Sequence, residues 1–136
     1  MRFRFLTGKP AHVPGTSAGS LAACPARPNC VCSDSSDPQH GISALMLTAP
    51  PEQAWQAARS AVLSLPRTEI VSESDDYLHA ECRSAMFGFV DDLELHLRPQ
   101  SGSIAVRSAS RLGYRDFGVN RKRVESLRAA LADSGV

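Results

Sequence analysis

The sequence predicts a single α+β domain: an antiparallel β-meander with two helices on one face, in the order β-α-β-β-β-β-α, after a long irregular N-terminal segment. Three observations predict it. Stretches of strict apolar–polar alternation follow one another through the second half of the chain. Two other stretches carry apolar residues at helical spacing, and residues 1–41 show neither pattern. Alternation of this kind marks strands with one covered and one polar face, so both helices belong on the apolar side.

Residues 7–41 are rich in proline and glycine, which predicts an irregular course rather than a helix or an internal strand. Such a stretch is uncommon in a compact domain, so it is either a tail or a functional wrap packed on or near the sheet. Residues 42–134 form the α+β domain proper. Residues 42–48 read as a short strand. Pro50-Pro51-Glu52 opens the first helix, since proline suits the first turn and an acid complements the dipole. Ala54, Trp55, Ala58, Val62 and Leu65 share a stripe that Pro66 ends. Residues 68–72 are a strand closed by the Ser74-Asp75-Asp76 turn. In residues 77–84, Leu78, Ala80 and Cys82 oppose His79, Glu81 and Arg83. In residues 89–98, Leu93, Leu95 and Leu97 oppose Asp92, Glu94, His96 and Arg98. In residues 103–110, Ile104 and Val106 oppose Arg107. Residues 119–131 are a helix with Val124, Leu127 and Leu131 on its stripe.

A chain of 136 residues suits one domain and buries roughly two-thirds of its unfolded surface. Hydrophobic residues at 43% and charged residues at 21% exclude wholesale disorder. A net charge of +1 gives no long-range pull toward nucleic acid or an anionic surface. The distribution says more than the sum. Residues 69–97 hold eight acids against Arg83 alone, and residues 98–136 hold eight cations against three acids. Halves of this kind neutralise one another inside a fold, or else leave a basic patch exposed.

The first residues, MRFRFLTGKP, lack the apolar core of a signal peptide, and no later run is long enough to span a membrane. Their alternating Arg2, Phe3, Arg4, Phe5 read as a short strand or the remnant of a removed anchor. A soluble, cytoplasmic protein is expected, in which Cys24, Cys30, Cys32 and Cys82 are thiols. Cys82 faces the core as a small hydrophobe.

Three constellations carry chemistry. The first is the charged sheet face. A four-residue loop at Pro99-Gln100-Ser101-Gly102 sets Glu94 opposite Arg107, with Asp92 diagonal to Arg107 and Arg111. A two-residue turn at Phe87-Gly88 sets Arg83 opposite Asp92 and Glu81 opposite Glu94. Cross-strand pairs of opposite charge fix register and stabilise by ~0.2–1 kcal/mol each when exposed. This is either a solvated ion-pair ladder or, roofed by residues 7–41, a polar pocket for a small anionic ligand.

The second is the approach to the last helix, where Asn120 or Asp116 is the N-cap. With Asn120 as cap, Arg121, Lys122 and Arg123 occupy a first turn whose dipole disfavours cations. Asp91 or Asp92 supplies the compensating charge, or a bound anion does. Gly113 and Gly118 form neither a phosphate loop nor a dinucleotide fingerprint, and no cofactor is called for.

The third is Cys24, Cys30, Cys32 and His40, the weak candidates for a metal. A tetrahedral zinc site wants four such ligands, but these spacings match no standard finger. Thiols in a packed loop or a Cys24–Cys30 disulfide are the other readings.

The segments CPARPNCVCSD (24–34), YLHAECRSAMFGFVDDLEL (77–95) and RSASRLGYRDFGVNRKRVESLR (107–128) resemble the family called domain of unknown function 1499, over about residues 24–131. The family pattern leads one to expect serine after PNCV, where this chain has Cys32. The resemblance implies a fold and no activity. The function expected from the residues is a non-catalytic accessory module binding a small anionic molecule, with Arg83, Asp92, Glu94, Arg107, Arg111, Asn120 and Arg121 as ligand-binding residues. A small hydrolase or isomerase using Glu81 or Glu94 as general base is the first alternative, and a protein–protein interaction module the second. Nucleic acid is not expected, because only Tyr114 and Phe117 accompany the arginines.

Overall fold

The computed structural model describes residues 14–136, so the reading of MRFRFLTGKP as strand or anchor remnant lies outside the described residues. Strands β1 (Thr16–Ser17) and β2 (Ser20–Leu21) form a small hairpin. Then come β3 (Cys30–Cys32), β4 (Leu45–Met46), helix α1 (Pro51–Leu63), β5 (Thr68–Glu73), β6 (Tyr77–Arg83), β7 (Val90–Arg98), β8 (Ser103–Ser110) and helix α2 (Val119–Asp133). Strands β5 to β8 are a meander, each antiparallel to the next. The outer edge of β8 is shared. Ser103 and Ile104 take β4, and residues 107–109 take β3. Between them Ser33 closes the gap, donating its amide to the Val106 carbonyl at 2.8 Å and accepting from the Val106 amide through its hydroxyl at 2.9 Å.

Both helices lie on one face. Ala54, Trp55, Ala58 and Val62 of α1 and Val124, Leu127 and Leu131 of α2 join Leu78, Ala80, Cys82, Leu93, Leu95, Leu97, Ile104 and Val106 in one buried core. The alternation written in β6, β7 and β8 is therefore the sheet's two faces, and Glu81, Asp92, Glu94 and Arg107 lie on the side away from the helices.

The structure corrects three expectations of local detail. The irregular N-terminal segment holds three short strands, and β3 enters the main sheet as an edge strand. A three-residue strand is too short to show alternation. The β6–β7 connection is a four-residue loop, Ala85 to Gly88, closed by the Ser84 amide bonding the Phe89 carbonyl, with Gly88 at φ +68°. Its register places Glu81 opposite Asp92, Arg83 opposite Val90, and His79 opposite Glu94. Glu81 and Glu94 are thus diagonal rather than paired. The β7–β8 hairpin keeps the expected register, with Glu94 opposite Arg107.

At α2 the cap residue is Gly118, held left-handed at φ +81°. Asp116 does the capping chemistry, its carboxylate accepting from the amides of Gly118 at 2.9 Å and Asn120 at 3.1 Å. Arg121 to Arg123 therefore sit deeper than an Asn120 cap implies. Asp91 pairs with Arg123 at 2.9 Å, and the local charge is met from inside the fold.

Candidate functional site

Strand parity puts Tyr77, His79 and Glu81 of β6, Asp92 and Glu94 of β7, and Arg107 of β8 on one face, with Arg111 just past the end of β8. They form two linked clusters. In the first, Glu94 is 0% exposed and accepts from the Tyr77 hydroxyl at 2.6 Å and the Gly15 amide at 3.1 Å. Arg107, 1% exposed, lies with Nη1 3.6 Å from Glu94 Oε2. The rest of its guanidinium donates to the carbonyls of Ala22 at 2.9 Å and Ala23 at 3.2 Å. The segment from Gly15 to Cys24 is thus a strap across the sheet, fastened by a buried ion pair. Leu21 packs there with Cys32 and Ala105.

In the second cluster Asp92 is the hub. Arg111 donates to it through Nε and Nη2, each at 2.8 Å, and His79 Nε2 lies 2.7 Å from Asp92 Oδ1. Arg111 also donates to Glu81 Oε2 at 2.8 Å, and Glu81 Oε1 meets Arg83 Nη2 at 3.3 Å. A third fastening lies at the far end, where Arg98 forks onto Asp34 at 2.6 and 2.7 Å while Asp34 accepts the Leu21 amide.

Electrostatics follow from these contacts. Burial pushes the Asp92 carboxyl up, but the hydrogen bonds from Arg111 and His79 outweigh it and hold it below the usual carboxylate range. The bond from Arg98 lowers Asp34 likewise. Burial, then the bond to Glu94, raises Tyr77 well above an ordinary phenol, so its hydroxyl stays a donor. Arg111 is raised by Asp92, and stays charged.

The expected ligand residues divide into two groups. Arg83, Asp92, Glu94, Arg107 and Arg111 are brought together on the strap face. Asn120 and Arg121 are not. Asn120 is buried behind the sheet, accepting from the Ser108 hydroxyl at 2.7 Å and donating to the Asn29 carbonyl at 3.1 Å. Arg121 reaches the carbonyls of Gln39 and Gly41.

The cysteines also depart from the thiol reading. Cys24 and Cys30 are disulfide-bonded, with Cα atoms 5.7 Å apart. Cys32 and Cys82 are free and buried, and burial raises both thiols. His40 is held between Asp37 at 2.7 Å and the Arg27 carbonyl at 2.8 Å. Among the described residues no group of His, Cys, Asp or Glu is arranged to hold a metal ion. Cys24, Cys32, Asp34 and His40 instead line a cleft of about 540 Å³ between the strap and the 33–40 loop.

Sequence reasoning missed Tyr77, Asp34 and the strap carbonyls. Tyr77 was within reach, because its parity matches His79 and Glu81. The Asp34–Arg98 pair spans 64 residues and left no local signal.

Fold and site together define a small α+β domain whose charged sheet face is clasped by an N-terminal strap. The chain belongs to the family described as Protein of unknown function (DUF1499), whose model matches residues 20–131. No curated protein matches the chain. No helix among the described residues is long and apolar enough to cross a membrane.

Proposed function

We propose that the protein is a non-catalytic binding module, whose charged layer is chiefly a clasp and whose anion-recognising end is Arg83 beside Arg111. The way the buried carboxylates Asp92 and Glu94 are held supports the first half. Asp92 has its carboxylate held by three donated bonds and a lowered pKa, the reverse of what a general base near neutral pH requires. Glu94 is enclosed by Tyr77, Gly15 and Arg107.

The observation that carries the second half is the state of Arg83. Its side chain is 26% exposed and, among the described residues, makes one long contact, to a Glu81 that it shares with Arg111. A small carboxylate or phosphate arriving there meets a guanidinium with donors to spare. Arg107, by contrast, is committed to the strap, so its proposed role passes from ligand contact to fastening. The Cys24–Cys30 bond belongs to the kind that persists in oxidising compartments, and we place the chain there rather than in a reducing cytoplasm.

The test is thermal unfolding with inorganic phosphate and with citrate as probes. The wild-type chain gains stability from at least one probe, and Arg83→Leu loses that gain while its unliganded stability falls by no more than about 1 kcal/mol. Equal stabilisation of both proteins would remove Arg83 from the reading.

A further inference from the structure

We infer that the end of the sheet formed by the β6–β7 and β8–α2 loops is a docking surface for an anionic lipid bilayer. The topology brings the loops together, because Arg111 donates its amide to the Val90 carbonyl just where one loop ends and the other begins. The α1–β5 turn joins them through Arg67, whose side chain and carbonyl bond the Arg83 backbone. Met86, Phe87 and Phe89 on the first loop and Leu112, Tyr114 and Phe117 on the second are all exposed. Large exposed side chains gathered at one tip mark an interaction site, whereas scattered ones carry no such meaning.

Phe117 is the sharpest case. It is 87% exposed and its backbone is left-handed at φ +54°, a conformation unfavourable for a bulky side chain. Neither packing nor backbone preference explains an aromatic there. Strain of this kind points to function when it is observed directly. Arg67, at φ +50°, is a second left-handed non-glycine residue at the same end.

Charge selects the occupant. Arg67, Arg115 and Lys122 make no ion pair within 4.0 Å among the described residues, although the layer beneath them is closely matched. Asp116, the acid within the β8–α2 loop, spends its oxygens on the Gly118 and Asn120 amides. Arg115 lies over the Tyr114 ring at 5.7 Å, an aromatic–cation pair suited to a headgroup layer. A bilayer offers an apolar interior beneath an anionic surface and needs no matching shape, which suits apolar side chains projecting from separate loops. The surface adjoins the Arg83 site but needs neither Arg83 nor Arg111, so it goes beyond that reading and stands without it.

The experiment is co-sedimentation of the full chain with phosphatidylcholine vesicles, with and without phosphatidylserine. The expected result is binding to the anionic vesicles that weakens with salt and drops about tenfold or more in Phe87→Ser/Phe117→Ser and in Arg115→Glu/Lys122→Glu. Circular dichroism and the urea midpoint confirm that both variants are folded, and Phe117→Ser alone serves if the double variants are not. No binding to anionic vesicles overturns the inference. So does binding that the tip variants leave unchanged, or capture of a protein by this tip with no vesicle binding.

Discussion

The strap-covered face and the loop tip are built from the same strands and treat charge in opposite ways. On the face, Glu81, Asp92 and Glu94 meet Arg83, Arg107 and Arg111, and burial goes with matched partners. A few residues further along, Arg67, Arg115 and Lys122 stand beside exposed aromatics and make no ion pair within 4.0 Å among the described residues. Both regions are rich in arginine. The difference teaches that pairing separates arginines that build this fold from arginines left for something outside it. The acidic middle and basic C-terminal part of the chain neutralise one another through the β6–β7–β8 face and the Asp91–Arg123 pair, and the tip is what that neutralisation leaves over.

The comparison breaks most visibly at Arg107. Arg107→Leu takes the Arg107 guanidinium from beside buried Glu94 and removes the donors it gives to the Ala22 and Ala23 carbonyls. Loss of one partner of such a pair costs about 3–5 kcal/mol, which urea denaturation measures directly. Adding Glu94→Gln to that variant recovers part of the loss, because a neutral amide still accepts from Tyr77. A small effect of Arg107→Leu would mean that the strap is not fastened there. The next largest effect is expected from Cys24→Ser/Cys30→Ser. The bond closes a loop of sequence separation 6, for which chain entropy gives about 2 kcal/mol. Reduction of the wild-type chain should lower its unfolding free energy by the same amount.

Much of the face was legible and little of the strap was. Parity alone placed Asp92, Glu94 and Arg107 together, since a two-residue period leaves no other choice. The β7–β8 register followed from a loop whose length is set by proline and by Gly102 at φ +59°. The β6–β7 register was missed by two residues. Phe87-Gly88 resembles a tight turn, yet Gly88 serves as the left-handed last residue of a longer one. A wrap over the sheet was one of two readings of residues 7–41, but its fastening by Glu94 and Arg107 could not be read, because those contacts are to backbone amides and carbonyls that sequence does not distinguish. Of the two cap candidates, Asn120 and Asp116, Asp116 takes the role, while Asn120 stitches β8 to the segment before β3.

Acid provides a gentler test of the matched face. The folded-state pKa of Asp92 lies below the ordinary aspartate value of 3.8, as does that of Asp34. Between the folded and unfolded values the unfolded chain binds more protons. Their contribution is therefore complete above 3.8 and is lost as pH falls through the lower folded values. Stability measured against pH should decline across that window, and Asp92→Asn should flatten part of the slope. An unchanged slope in the variant would mean that Asp92 is not held by Arg111 and His79 in solution.

The smallest effect on stability separates the two regions most cleanly. Phe117→Gly removes an exposed ring and relieves a left-handed backbone, while the unfolded chain gains freedom that favours it. These terms oppose one another, so the unfolding free energy from urea denaturation should move by no more than about 1 kcal/mol in either direction. Binding to anionic vesicles should nevertheless weaken. If Phe117 were merely a tolerated surface residue, the same substitution would leave both quantities where they were. If it were packed in solution against something the fold supplies, stability would fall as it does on the matched face. An unfolding free energy held within that range together with lost vesicle binding is the combination that only a residue kept for an outside surface produces.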